Sequence, residues 1–172
     1  MDRTGFNQLM THLRPKMYRF ALTLTKRTDE AEDAVQDVGM KMWKRHDELE
    51  ALQSVEAYAM SAVRNRCLDY TRSPHNRMDE LSEIHDTIHE QTPYSILEQA
   101  DTTTLVRQLI NRLPEQQQMV IRLRGIEGYE LEEIAEILGM NDGAVRTNLS
   151  RARQNIRENL LKHTGYERTK NT

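Results

Sequence analysis

Leu131-Glu132-Glu133-Ile134-Ala135-Glu136-Ile137-Leu138-Gly139-Met140-Asn141-Asp142-Gly143-Ala144-Val145-Arg146-Thr147-Asn148-Leu149-Ser150-Arg151-Ala152 is the stretch that decides the fold. Ala135, Gly139 and Val145 stand in the pattern Ala-x3-Gly-x5-Val, the spacing of a helix-turn-helix. Each residue has a physical reason. Two helices that cross steeply need a small side chain where they approach, at Ala135. The turn needs a residue that tolerates positive φ, at Gly139. The second helix must anchor inward, at Val145, and continues its apolar stripe through Leu149, Ala152, Ile156 and Leu160. Ile134, Leu138 and Met140 complete a small core, and Asn141-Asp142 can cap the second helix.

The outward positions of that second helix are Arg146, Thr147, Asn148, Ser150 and Arg151, followed by Arg153 and Arg157, with no acid from Gly143 to Ile156. Arg can read guanine bidentately, Asn can read adenine, and Ser or Thr reaches bases or phosphates. Shape and chemistry together read as a recognition helix for the DNA major groove. A solvated amphipathic helix in an ordinary αα-hairpin is the plainer alternative.

Working toward the N-terminus, Val106, Leu109, Ile110 and Leu113 form a helical stripe ending at Pro114, which suits the first turn of the next helix, with Met119, Val120 and Leu123 inward. Gly125 to Tyr129 holds two glycines and reads as a loop. Residues 73–104 carry one basic residue, Arg77, against seven acids, and read as a connector rather than a core. At the N-terminus, Phe6, Leu9, Met10, Leu13, Met17, Phe20, Ala21 and Leu24 make one stripe, which Pro15 is expected to break or kink near Arg14. Thr28-Asp29 with Glu32 resembles a capping box ahead of the stripe Ala31, Ala34, Val35, Val38, Met42. Arg45 to Ser54 reads as a loop. Val55, Tyr58, Ala59, Ala62, Val63, Cys67 and Tyr70 then form a third helix that stops near Ser73-Pro74.

Composition bounds the class. The 172 residues hold only 7 Gly and 4 Pro, too few for the many turns of a sandwich or barrel, so the expected class is all-α. Two small helical domains are expected: 1–74 and 104–165, joined by an acidic linker over 75–103, with a polar tail at 166–172. One cysteine, Cys67, excludes an intramolecular disulfide and a cysteine-cluster zinc site. His85 and His89 are four apart, but no further ligand cluster accompanies them, so no metal or other cofactor is expected. There is no Gly-rich phosphate loop and no nucleophile–base arrangement, so no enzyme is expected. The longest stretch free of Asp, Glu, Lys and Arg runs only from Thr4 to Leu13, and the start lacks a signal peptide's apolar run; the expectation is a cytoplasmic protein without membrane insertion.

These blocks together resemble the extracytoplasmic-function (group 4) sigma factors of bacterial RNA polymerase. Leu113-Pro114-Glu115-Gln116-Gln117, Ile126-Glu127-Gly128-Tyr129, Glu133 to Met140, Gly143-Ala144-Val145-Arg146 and Leu149-Ser150-Arg151-Ala152-Arg153 resemble the family's region 4. Asp29 to Val38 with Trp43 resembles the region 2 core, and Val63 to Arg72 the promoter-reading helix. The resemblance implies a region 2-like bundle and a region 4-like helix-turn-helix domain. They would belong to a subunit that binds core polymerase and reads promoter −10 and −35 elements. It assigns Asp33, Gln36, Asp37 and Lys41 to the coiled coil of the polymerase β′ subunit, although a solvated charged face fits the same pattern. Arg64, Asn65, Arg66, Asp69 and Arg72 would face the −10 element, with the Arg45–Ser54 loop capturing a flipped base. Asn65 and Asp69 are equally spaced for a hydrogen-bonded pair on the helix surface. Arg146, Thr147, Asn148, Ser150, Arg151 and Arg153 would lie at the −35 element. Implied partners are promoter DNA, the β′ coiled coil and β flap of core polymerase, and, on family grounds alone, an anti-sigma factor. The acidic connector would run through the polymerase cleft that otherwise holds nucleic acid. An autonomous helix-turn-helix regulator is the alternative; it explains the last third but not the two N-terminal blocks.

Three positions depart from the family pattern. Glu130 stands where Ser or Thr is common before the motif's first helix. Tyr58 replaces a common Trp. Gly39 stands where an aromatic or large apolar residue is common, which is expected to leave the region 2 core locally thin.

Overall fold

The structure, a computed structural model, describes residues 1–72 and 97–164, with side chains described over 1–72 and 102–163. Every element among them is an α-helix: α1 Arg3–Thr25, α2 Thr28–Lys44, α3 His46–Leu49, α4 Val55–Arg72, α5 Leu97–Asn111, α6 Glu115–Gly125, α7 Leu131–Leu138 and α8 Asp142–Thr164. Contacts divide the chain into two compact units. In the first, α1, α2 and α4 pack on one another as a three-helix bundle. In the second, α5, α6 and α8 contact each other.

The bundle forms because three amphipathic stripes close on one another. Leu13, Met17, Ala21, Ala31, Ala34, Ala57, Ala59, Met60, Val63 and Cys67 are fully buried. Each large apolar side chain so removed from water contributes roughly 1.5–3 kcal/mol. That gain explains α1. The helix was expected to break at Pro15, yet it runs unbroken from Arg3 to Thr25 with Pro15 inside. Proline forfeits one backbone hydrogen bond and costs about 3 kcal/mol. Leu13 and Met17, on either side of it, lose all exposure and hold the helix continuous. α1 starts on Asp2, whose carboxylate accepts from the Gly5 N–H at 2.8 Å.

The expected capping box before α2 does not form. Arg27 holds the N-cap position without a side-chain cap, and its guanidinium donates to Asp29 at 3.2 and 3.4 Å. That ion pair holds the Asp29 carboxyl below its usual range. The stretch 45–54 is not wholly loop. It contains the single turn α3, pulled inward by Leu49, which is buried. Ser54 Oγ then caps α4 by accepting from the Ala57 N–H at 3.1 Å. Lys16 of α1 donates to Glu56 of α4 at 2.6 Å.

Gly39 does not thin the core. A Cβ placed there would lie 3.2 Å from the Met10 methyl, so the flexible thioether of α1 already fills the space that the family's larger residue would take.

In the second unit, Leu109, Ile110, Leu113, Met119, Val120 and Leu123 are buried as the stripes require. α5 begins at Leu97, so residues 97–103, expected to be connector, are helical; apolar Leu105, Val106, Leu109 and Ile110 extend one helical period forward from there. The rest of the expected linker, the His85/His89 pair and the tail 166–172 lie outside the described residues. Gly139 adopts φ +62°, as the turn requires, and Gly128 φ +80°. Ala135 and Val145 are buried. Glu130 stands in for the missing Ser or Thr. Its N–H donates to Glu133 Oε2 at 3.0 Å, and its carboxylate pairs with Arg124 at 3.0 Å.

Two predictions follow from the bundle core. Gly39→Phe restores the family's bulk against a filled site and destabilises the bundle by about 1–3 kcal/mol. Adding Met10→Ala recovers part of that loss. Trp43, the single tryptophan, stacks in this bundle, so its fluorescence during urea unfolding reads both variants. Burial pushes the Cys67 thiol up to about 12, so it stays protonated and unreactive at pH 8. Iodoacetamide is expected to label Cys67 in urea but not in the folded chain.

Candidate nucleic-acid interface

Two surfaces carry the polar groups singled out by the sequence. The first is α8. Asn141 caps it, its side-chain oxygen accepting from the Ala144 N–H at 2.7 Å. Val145, Leu149 and Ala152 are buried and fix the helix's rotation. At about 100° per residue, Arg146, Ser150, Arg153 and Arg157 then share one face, with Thr147 and Arg151 on its flank. All six are exposed. None of the four arginines makes a hydrogen bond or ion pair among the described residues, so their donors are free for a polyanion. Asn148 differs. It is half-buried, and its amide donates to the Ala144 carbonyl at 2.9 Å, which spends the group on its own helix.

The second surface lies between α2 and α4. A groove of about 210 Å³ is lined by Val38, Lys41 and Met42 from α2 and by Tyr58, Ala62, Asn65, Arg66 and Asp69 from α4. Of the five α4 residues expected at DNA, the groove gathers Asn65, Arg66 and Asp69. Arg64 falls on a different face of the helix, and Arg72, at its end, does not line the groove. Asn65 and Asp69 do not bond to each other, so the hydrogen-bonded pair is absent.

Arg66 and Asp37, expected at two different partners, are joined to each other. The Arg66 Nε donates to Asp37 at 2.7 Å, and the guanidinium lies 4.2 Å over the Tyr70 ring. The Asp37 hydrogen bond holds the Arg66 pKa above its usual value, and burial does the same for the Tyr70 phenol. This pair ties α2 to α4 and forms one edge of the groove.

The four residues expected to bind polymerase therefore divide. Asp33 and Gln36 stay exposed on α2, Asp37 is ion-paired, and Lys41 turns into the groove. Gln36 also lines a shallower groove of about 300 Å³ between α1 and α2, with Arg14, Tyr18, Glu32 and Val35. Sequence reasoning missed Tyr58, Ala62 and Met42 as groove residues. The signal was present in α4, where residues 58, 62, 65/66 and 69 recur at helical spacing on one face. Among the described residues no group of three or more His, Cys, Asp or Glu side chains could hold a metal, and no helix is long and apolar enough to cross a membrane.

The sequence matches two family models in order along the chain. Residues 9–77 match sigma-70 region 2, and residues 103–156 match sigma-70 region 4. Among curated proteins, the chain is 25% identical over 158 residues to the ECF RNA polymerase sigma factor SigM of Mycobacterium tuberculosis, covering 90% of this chain and 76% of that one. It is 25% identical over 170 residues to the RNA polymerase sigma factor YlaC of Bacillus subtilis, covering 96% and 98%. Among solved structures, it resembles the sigma factor RpoE of Bartonella quintana, seen in complex with the anti-sigma factor NepR. The TM-score is 0.71 and the identity 28%, over 91% of this chain and 96% of that one.

The ion pair between α2 and α4 makes a separable prediction. A double-mutant cycle on Asp37→Ala and Arg66→Ala, read by urea unfolding, is expected to give a coupling of about 1 kcal/mol, the scale of a partly exposed pair with good geometry. A coupling near zero would return both side chains to the solvated surface.

Proposed function

The chain belongs to the sigma-70 family as an extracytoplasmic-function RNA polymerase sigma factor, and from that premise we propose how its residues divide the work. A sigma factor binds core RNA polymerase and directs transcription initiation at specific promoters; bond formation in RNA belongs to the polymerase. The observation that carries the reading is the pair of region matches, 9–77 and 103–156, in the family's order. An autonomous helix-turn-helix regulator would leave the first of them without a purpose.

In this reading the first domain, residues 1–74, docks on the β′ coiled coil through the exposed α2 side chains Asp33 and Gln36. Asp37 contributes by holding α2 in register with α4. The α2–α4 groove, through Lys41, Asn65 and Asp69, takes an unstacked nucleotide of the −10 element. Unstacking costs a few kcal/mol, which contacts in the groove offset. The second domain, from about residue 104 to 165, lays α8 into the major groove of the −35 element while engaging the β flap. Arg146, Ser150 and Arg153 face the DNA, and Thr147 and Arg151 reach it from the flank. Likeness to a sigma factor solved with its anti-sigma factor supports an inhibitory protein partner for this chain too.

Run-off transcription tests the whole. Core polymerase with the full chain is expected to give discrete transcripts from promoters of the host genome, and neither component alone should do so. Absence of specific initiation at every such promoter would sink the reading. Within it, Arg151→Ala should cost about 1–3 kcal/mol in −35 discrimination if Arg151 contacts a base. Asn148→Ala should leave the −35 preference unchanged, because that amide already serves the Ala144 carbonyl.

A further inference from the structure

The groove between α2 and α4 has an unequal set of open valences. Arg66, the residue with the most donors, is committed to Asp37 and the Tyr70 ring. Asn65, Asp69 and Lys41 make no hydrogen bond or ion pair among the described residues. Asp69 offers acceptors only, Lys41 donors only, and Asn65 both. Val38, Met42 and Ala62 supply apolar surface, and Tyr58 an aromatic ring suited to stacking on a base.

We propose that this groove accepts a base bearing an exocyclic amino group and rejects thymine, with Asp69 as the discriminating acceptor. The inference rests on reading the groove as the −10 nucleotide site. The argument concerns donors and acceptors, not size. Cytosine and thymine are nearly the same shape, so an open groove cannot sort them by bulk. Cytosine and adenine each place an amino group beside a ring-nitrogen acceptor, and guanine places an amino group beside a ring N–H. Each gives a carboxylate two hydrogens to accept and leaves acceptors for Lys41 and Asn65. Thymine offers one N–H between two carbonyl oxygens. A carboxylate that reaches that N–H meets carbonyl oxygens on both sides, and one of its own oxygens loses its partner. Sites built around a hydrogen bond reject the analogue that lacks it far more strongly than apolar pockets reject a change of size.

The test uses holoenzyme reconstituted from core polymerase and the full chain, on a promoter set with each of the four bases at every position of the −10 non-template strand. Open-complex yield is the readout. Wild type is expected to disfavour thymine at one position by roughly tenfold, the scale of one well-made base contact. Asp69→Asn should abolish that preference and admit thymine, since the new amide can donate to a carbonyl oxygen, while preferences elsewhere persist. Asp69→Ala should lose the discrimination at the same position. A wild-type profile that accepts thymine everywhere overturns the inference, as does an Asp69→Asn profile identical to wild type. Loss of all initiation by both variants, with core binding intact by co-elution, also overturns it, because Asp69 would then serve opening rather than selection. Failure of the wild-type holoenzyme to initiate at any promoter would instead refute the underlying reading of the groove, so the two failures are distinguishable.

Discussion

α2 must lie close to both α1 and α4, and the rest of the first unit depends on that approach. The residues at the approach are small: Ala31 and Ala34 on α2, Ala57 and Ala59 on α4, all without exposure. Helix axes come near one another only where side chains are short, and interiors are packed too densely to leave the difference empty. Methionines take up the remainder. Met10 fills the gap at Gly39, and Met17, Met42 and Met60 are buried around it. Because α2 and α4 are held this near, side chains from both helices line one groove. With larger residues at the alanine positions, Lys41 and Asp69 would stand on separate surfaces.

The same geometry sorts charges into those that build and those that are left to bind. Asp37 and Arg66 lie where the helices meet and neutralise each other across the gap. Lys16 and Glu56 do the same between α1 and α4. Lys41, Asn65 and Asp69 lie slightly further out and keep their hydrogen-bonding capacity. On α8 the separation is cleaner still, because Val145, Leu149 and Ala152 turn the arginines outward and no acid interrupts them before Glu158. Whether a polar side chain serves the fold or a ligand is thus set by a few ångströms of helix packing, which residue type alone does not encode.

That is why some features were legible in the sequence and others were not. The helix-turn-helix could be read from Ala135, Gly139 and Val145 because each obeys a local rule: small at a crossing, positive φ at a turn, apolar at an anchor. The apolar stripes of α1, α2 and α4 were legible for the same reason. Continuity of α1 through Pro15 was not, because the local cost of proline is outweighed by burial of Leu13 and Met17 against distant helices. The capping box failed because Asp29 had a better partner in Arg27. α3 escaped notice because a single turn held by Leu49 has no periodicity to detect. The pairing of Asp37 with Arg66, 29 positions apart, follows only from tertiary packing. At Gly39, comparison with the family misled, since the compensating side chain sits on another helix.

Charge distribution explains why such a chain works as a subunit. The net charge is −3, which by itself discourages a DNA-binding role. The deficit is local. Residues 1–72 carry 12 Lys and Arg against 11 Asp and Glu, and residues 105–172 carry 11 against 9, while residues 73–104 carry one against seven. Phosphate contacts supply most of the affinity of DNA-binding proteins, and that affinity grows with the number of phosphates neutralised. Two units so close to neutral gain little of it, even with four arginines on one face of α8. What they have instead is arrangement: free donors on α8, and free donors and acceptors in the α2–α4 groove. Arrangement confers selectivity without much affinity. A selective but weakly attracted reader must be brought to DNA by something that already binds it. In a sigma factor, core polymerase does so, and joining two weak sites through one large partner raises their effective concentration on the promoter without any new contact.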